Sequence, residues 1–354
     1  MAASPSVFAL ELRPQARFDL IDVRRRLEED VGDELARYRR VLYCSHHTTA
    51  GYLEQSLCAR LRHDREQVNG FIRLFRHLFP PEAPYQHDRL ERRRELSDEQ
   101  RESEPLNADS HLTYIGSGLN NCVSYVNRAE TPVFFIDLDG VFRNERRRRQ
   151  TTVIAYDREE LVESVELALP VSRRPVDAVN LKDPQLGLFD RLEQCLIRHG
   201  VDNGRVRISL APTETHAGLT VNEYETLLMK HDLAEVLRHP FEFMAQKGRH
   251  ILADPRAVPH KTLNYARYDV VRVINELLDV LGVGESRLER LLAKFIAKPA
   301  SRFLRMRSAV SFPLRENDGR GSIVCGRYQS PILVQWQPAD RQTRWLRVDI
   351  SRFV

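Results

Sequence analysis

The feature that most constrains this chain is a motif that occurs twice. Val41-Leu42-Tyr43-Cys44 runs into Ser45-His46-His47-Thr48-Thr49-Ala50-Gly51. Much later, Val206-Arg207-Ile208-Ser209-Leu210 runs into Thr213-Glu214-Thr215-His216-Ala217-Gly218-Leu219-Thr220-Val221-Asn222-Glu223. Each reads as a buried strand that ends in a polar turn and then enters a helix. Small hydroxyl residues and glycine at such a turn leave backbone N–H groups free to face an anion, and the same residue types serve as a helix N-cap. A His-Asp pair follows each motif at nearly the same distance, His63-Asp64 and His231-Asp232. That agreement predicts a duplicated domain.

A chain of 354 residues suits two domains, here 1–157 and 158–354. It contains no apolar run long enough to span a membrane and opens without a basic and apolar leader, so a cytoplasmic location is expected. Its five cysteines are scattered without metal-type spacing and read as free thiols. A net charge of +4, with no basic-plus-aromatic motif, makes nucleic acid an unfavoured partner.

In chain order, residues 7–12 alternate as a strand and 23–40 form a charged amphipathic helix. Residues 55–79 have helical spacing, stopped by Pro80-Pro81. Residues 89–104 are almost all polar and read as a solvated helix or flap. A short helix opens near Asn107, and 133–138 and 151–156 read as a hairpin. The pattern then restarts, with a strand near 165–169 and a helix at 188–198 capped by Gly200. A second buried strand covers 205–211, and a helix runs from Glu223 to about Arg238. Residues 267–295 have no counterpart in the first half and predict a helical insertion, about 267–297. Residues 330–334 and 345–350 echo 131–135 and 151–156.

His-Thr-Thr-Ala-Gly after a strand, Tyr85-x-His87-Asp88, and Asn107-Ala-x-Ser110-His111-Leu112 before a Gly-Ser turn together resemble the YjbQ-like family, the secondary thiamine-phosphate synthase family. The likeness covers most of residues 6–156. Residues 162–354 look like a more divergent copy that keeps Ala217 to Glu223 and Gly326-Arg327-Tyr328-Gln329. The resemblance implies an α+β chain of two tandem β-sandwich domains with flanking helices, a homo-oligomer, and transfer chemistry on a phosphorylated small molecule.

The two copies divide the family's polar residues. The first carries His47, His87, Asp88 and His111; the second carries Asn222, Glu223 and Gln329. Glu214 stands where His47 does, and Arg302 stands for His111. One complete site pooled from both copies is therefore expected. Its chemistry would rest on His47, His87, Asp88, His111 and Glu223, and Thr48, Thr49, Ser110, Asn222 and Gln329 would bind substrate. His47, His87 and His111 could hold a divalent ion, Zn or Mg. Against this stand plainer readings: His46 as a structural side chain, the His-Asp pairs as helix caps, and Arg146 to Arg149 as a solvated hairpin. The competing functions are metal-dependent phosphoester hydrolysis and a non-catalytic ligand-binding or assembly role.

Overall fold

A computed structural model describes residues 4–238, 304–317 and 320–354. The insertion expected at about 267–297, and Arg302, lie outside them. The first half lays out β1 (Ser6–Leu12), β2 (Asp19–Asp22), α1 (Val23–Val31), β3 (Arg40–Ser45), β4 (Ala50–Gly51), α2 (Gln55–Arg60) and α3 (Arg65–Leu78). It continues with α4 (Asp98–Ser103), α5 (Ala108–Ser117), β5 (Cys122–Val126), β6 (Phe134–Asp137), a small hairpin of β7 (Val141–Phe142) and β8 (Glu145–Arg146), and β9 (Arg149–Tyr156). The second half follows with β10 (Glu159–Pro170), β11 (Asp177–Asn180), α6 (Leu188–His199), β12 (Gly204–Leu210), β13 (Ala217–Asn222) and α7 (Leu233–Arg238). It closes with β14 (Ala309–Asn317), β15 (Arg320–Ile323), β16 (Ser330–Gln335) and β17 (Thr343–Phe353). The protein is α+β.

In the first half the strands pair in the orders β1-β9-β3-β5 and β2-β6-β4; in the second, β10-β17-β12-β14-β15 and β11-β16-β13. Taken in chain order, the second set repeats the first, with β15 added at one edge. Single hydrogen bonds repeat as well. Leu138 N–H donates to Thr49 O at 3.0 Å, and Trp336 N–H donates to His216 O at 2.9 Å.

Alternation along the strands sets where the cores lie. Val41 and Tyr43 of β3 join the large core with α1, α3 and α5, while Leu42 and Cys44 face a small cluster with Tyr156 and Phe353. In β16, Leu333 faces the interior of the second half, together with Phe312 and Leu196. Its neighbours Ile332 and Val334 join the large core of the first half. The run Ile332-Leu333-Val334 is unbroken because that sheet is covered on both faces. The two halves thus meet across a buried apolar seam, where polar groups lose most of their contact with water.

Several sequence expectations need correction. The repeated turns enter strands and not helices: Ala50 pairs with Asp137, and Ala217 with Gln335. Gly51 is needed there because a Cβ would lie 2.5 Å from the Asn120 carbonyl oxygen. Residues 134–137 and 149–156 belong to different sheets and form no hairpin. The helix expected over 55–79 is broken where Arg62 and His63 take positive φ; Asp64 then caps α3 by accepting from Gln67 N–H at 2.9 Å. The segment 89–104 is not wholly solvated, because Arg93 is only 2% exposed.

Candidate functional site

The seam collects polar side chains from both halves. α5 presents His111 inward, and the loop after α3 presents His87; both rings are buried. β13 ends at Asn222, so Asn222 and Glu223 arrive from the opposite side. His111 Nδ1 lies 2.7 Å from Asn222 Oδ1. That amide oxygen also accepts from Glu223 N–H at 2.8 Å, and its nitrogen donates to Thr48 O at 3.0 Å. The amide orientation is therefore fixed by its neighbours, and His111 must carry its proton on Nδ1. Its Nε2 then offers a lone pair, 3.8 Å from Glu223 Oε2.

His87 has the opposite environment. Its Nδ1 lies 2.8 Å from the Glu225 carboxylate, which is held in place by the N–H groups of Leu227 and Leu228. The His87 backbone N–H donates to Asp232 at 2.9 Å, and so does that of Gln86. Asp232 sits on a π turn, Leu228–Asp232, just before α7, and π turns often mark functional sites. His87 Nε2 is buried without a hydrogen-bond partner, and the ring meets that of His111 edge to face at 5.2 Å.

The two imidazoles are driven apart in basicity. Burial is the largest influence on both and works against their charged forms. At His87 the carboxylates of Glu225, Glu223 and Asp88, Glu225 foremost, together outweigh burial and Arg93, and the pKa is raised. At His111 the neighbouring His87, Arg93 and Arg147 add to burial, and the pKa falls well below its usual value. Burial also raises the Glu223 carboxyl. Arg93 crosses the seam to Glu223 at 3.0 Å, and it also pairs with Glu95 and Glu104. Arg147 pairs with Asp139 at 3.0 Å and leaves a buried Nε without a partner.

The seam therefore brings together His87, His111, Asn222 and Glu223. The other expected residues lie beside it in hydrogen bonds within the protein. His47 Nε2 accepts from Gln150 N–H at 2.7 Å; burial and the nearby Arg149 take its pKa down to about 3. Asp88 accepts from Ala108 N–H at 3.0 Å, at the start of α5. Ser110 donates to Leu138 O at 2.8 Å, and Arg149 donates to Thr49 Oγ1 at 3.4 Å. Gln329 ties the halves together by donating to Ser45 O and His47 O, each at 2.9 Å. Gly326 beside it permits this approach, since a Cβ there would collide with His46 O. His46 donates to or accepts from Thr152 Oγ1 at 2.8 Å.

His47, His87 and His111 do not offer three donor atoms within 4.8 Å of one another, and neither do His87, His111 and Glu223. The seam does not fit a shared divalent ion. Sequence reasoning missed Glu225, Arg93 and the burial of Asp232. The spacing of two between Glu223 and Glu225 was the available signal, since alternate residues of an extended chain share a face.

No family model matches the sequence, and no curated protein matches it. Among solved structures, the chain is similar to a YbjQ-like protein of unknown function from Sulfolobus solfataricus P2, at 19% identity over 55% of this chain and 99% of that one, with a TM-score of 0.28. A hypothetical protein from Aeropyrum pernix K1 matches at 17% identity over 53% of this chain and 98% of that one, TM-score 0.27. An uncharacterized protein of the YjbQ/UPF0047 family from Clostridium acetobutylicum matches at 14% over 52% and 98%, TM-score 0.24. At such scores these matches carry no inference about chemistry. No helix among the described residues is long and apolar enough to cross a membrane.

Proposed function

We propose that the chain is a tandem duplication of a YjbQ-like β-sandwich domain whose halves share one acid–base site for a phosphorylated small molecule. The repeated strand order supports the duplication. The observation that carries the function is the pair of buried imidazoles in contact, one held toward its charged form by Glu225 and the other held neutral by burial and the nearby cationic groups, with its proton fixed on Nδ1 by Asn222. Two titratable groups with opposed environments are the mark of divided acid and base roles. His87, protonated, donates from Nε2 to the leaving oxygen. His111 accepts at Nε2 the proton of the attacking group. Arg147, with a donor to spare, faces the anionic substrate.

Thiamine-phosphate formation, the activity the resemblance implies, is the first reaction to assay. Its attacking ring nitrogen carries no proton, so that reaction would depend on His87 and Arg147 and use His111 only for positioning. Cleavage of a phosphoester by water would need both imidazoles. The test is turnover of a pyrimidine methyl diphosphate with a thiazole phosphate, and of a chromogenic phosphoester panel, by wild type, His87→Gln and His111→Gln. Loss with His87→Gln alone assigns the synthase, and loss with both assigns the hydrolase. Full turnover by both variants removes the proposal.

A further inference from the structure

The second half carries a side-chain cluster that the seam does not use. Cys195 and His199 stand four residues apart on α6 and share one helix face. Glu163 reaches them from β10, at an irregularity in its pairing with β17 between Leu161 and Glu163. Cys195 Sγ lies 2.6 Å from Glu163 Oε2, and His199 Nε2 lies 2.7 Å from the same oxygen. All three donor atoms fall within 4.8 Å of one another, and among the described residues no other group of three His, Cys, Asp or Glu side chains does so. α1, the helix at the corresponding place in the first half, contains neither cysteine nor histidine.

We propose that Glu163, Cys195 and His199 form a binding site for a divalent ion of the zinc type, with a fourth position open to water or an external ligand. The donor set of thiolate, imidazole and carboxylate matches the borderline-soft preference of that ion. With the thiol ionised the set carries two negative charges, which a divalent ion cancels. Both helical ligands lie in the final turns of α6, before Gly200, at the negative end of the helix dipole, which favours a cation. Access is provided, since the His199 and Glu163 side chains are 34% and 25% exposed.

The apo arrangement also explains what the ion replaces. Burial and the adjacent carboxylate push the Cys195 thiol up to about 11, so the thiol donates to Glu163. An entering ion takes over that bond and releases the proton. Glu163 must then draw back from Sγ, to give metal–sulfur and metal–oxygen distances of about 2.3 Å and about 2.0–2.2 Å. Its exposed side chain has the room. Three protein ligands with one open position is the coordination of a catalytic rather than a closed structural site.

The test is titration of the reduced full-length chain with Co2+, read by the near-ultraviolet thiolate-to-cobalt absorption. The seam site contains no cysteine, so this band reports the α6 cluster separately. One equivalent per chain should give the band in wild type and in His111→Gln. Cys195→Ser should abolish it, and His199→Gln should weaken binding by about tenfold or more. His199→Gln keeps every thiol, so its effect stands even if Cys195→Ser fails to fold. Absence of the band in wild type, or an unchanged titration in His199→Gln, overturns the proposal.

Discussion

The same place in the frame is filled differently in the two halves. In the first, neutral His47 accepts from the backbone N–H of Gln150, and the neighbouring Arg149 makes a two-pronged pair with Asp137. In the second, Glu214 accepts from the backbone N–H of Trp345 at 2.7 Å, and its other oxygen pairs with the neighbouring Arg344 at 2.8 Å. The backbone geometry is retained, while the charged partner of the arginine moves from the strand to the turn. Asp137 pairs with Ala50 just as Gln335 pairs with Ala217, so an amide stands where the first half has its carboxylate. A strand frame can exchange the members of a buried ion pair provided the charge stays balanced and the hydrogen bonds stay filled. At the seam the halves differ in another way: the first supplies the imidazoles, the second the carboxylates and amide that set their basicity.

That difference predicts a ranking of effects. The largest should fall on turnover. His87→Ala should lower kcat by roughly 100- to 10,000-fold with the fold unchanged by circular dichroism, and His111→Ala should do the same for phosphoester cleavage by water. Next come the two turns. Glu214→Ala strands a buried guanidinium and should cost about 3–5 kcal/mol in urea unfolding. His47→Ala removes only a neutral hydrogen bond and should cost about 1 kcal/mol. Equal costs would break the comparison.

The remaining two predictions concern pH. His87 acts in its charged form and its pKa is raised, so activity should persist above the usual histidine range and fall as pH rises through the folded value. Glu225→Gln removes the strongest of the groups that raise it, and the alkaline limb of the kcat profile should move to lower pH. A limb that stays in place would take the acid role away from His87. The smallest effect concerns acid stability. His47 has a folded pKa of about 3 against an unfolded value of 6.5, so between them the unfolded chain binds a proton that the folded chain refuses. Stability is lost as pH falls through that window, and His47→Gln should flatten the acid limb by one proton's worth of slope. An unchanged slope would mean the His47 ring is open to water.

Much of the frame was legible locally. β3, β12, α5 and α6 announce themselves by apolar runs, periodicity and the Gly200 cap, and the recurring Ala-Gly turn accompanies the recurring strand order. The site was only half legible. His111 and Asn222 stand 111 residues apart and His87 and Glu225 stand 138 apart, so no local pattern links them. Motif position alone placed His47 with the other histidines. The turn that carries it joins a strand of the other sheet, and its ring is taken by the Gln150 N–H near the start of β9. The apparent flap at 89–104 hid a buried residue because Arg93 looks like its neighbours in composition. Only its three carboxylate partners reveal that it belongs to the seam.

The central claim is that groups from the two halves act on one another across the seam. A double-mutant cycle of His111→Ala and Asn222→Ala, read by urea unfolding, measures that directly. Their hydrogen bond predicts a coupling of about 0.5–3 kcal/mol; costs that add to within about 0.3–0.5 kcal/mol would contradict a shared site.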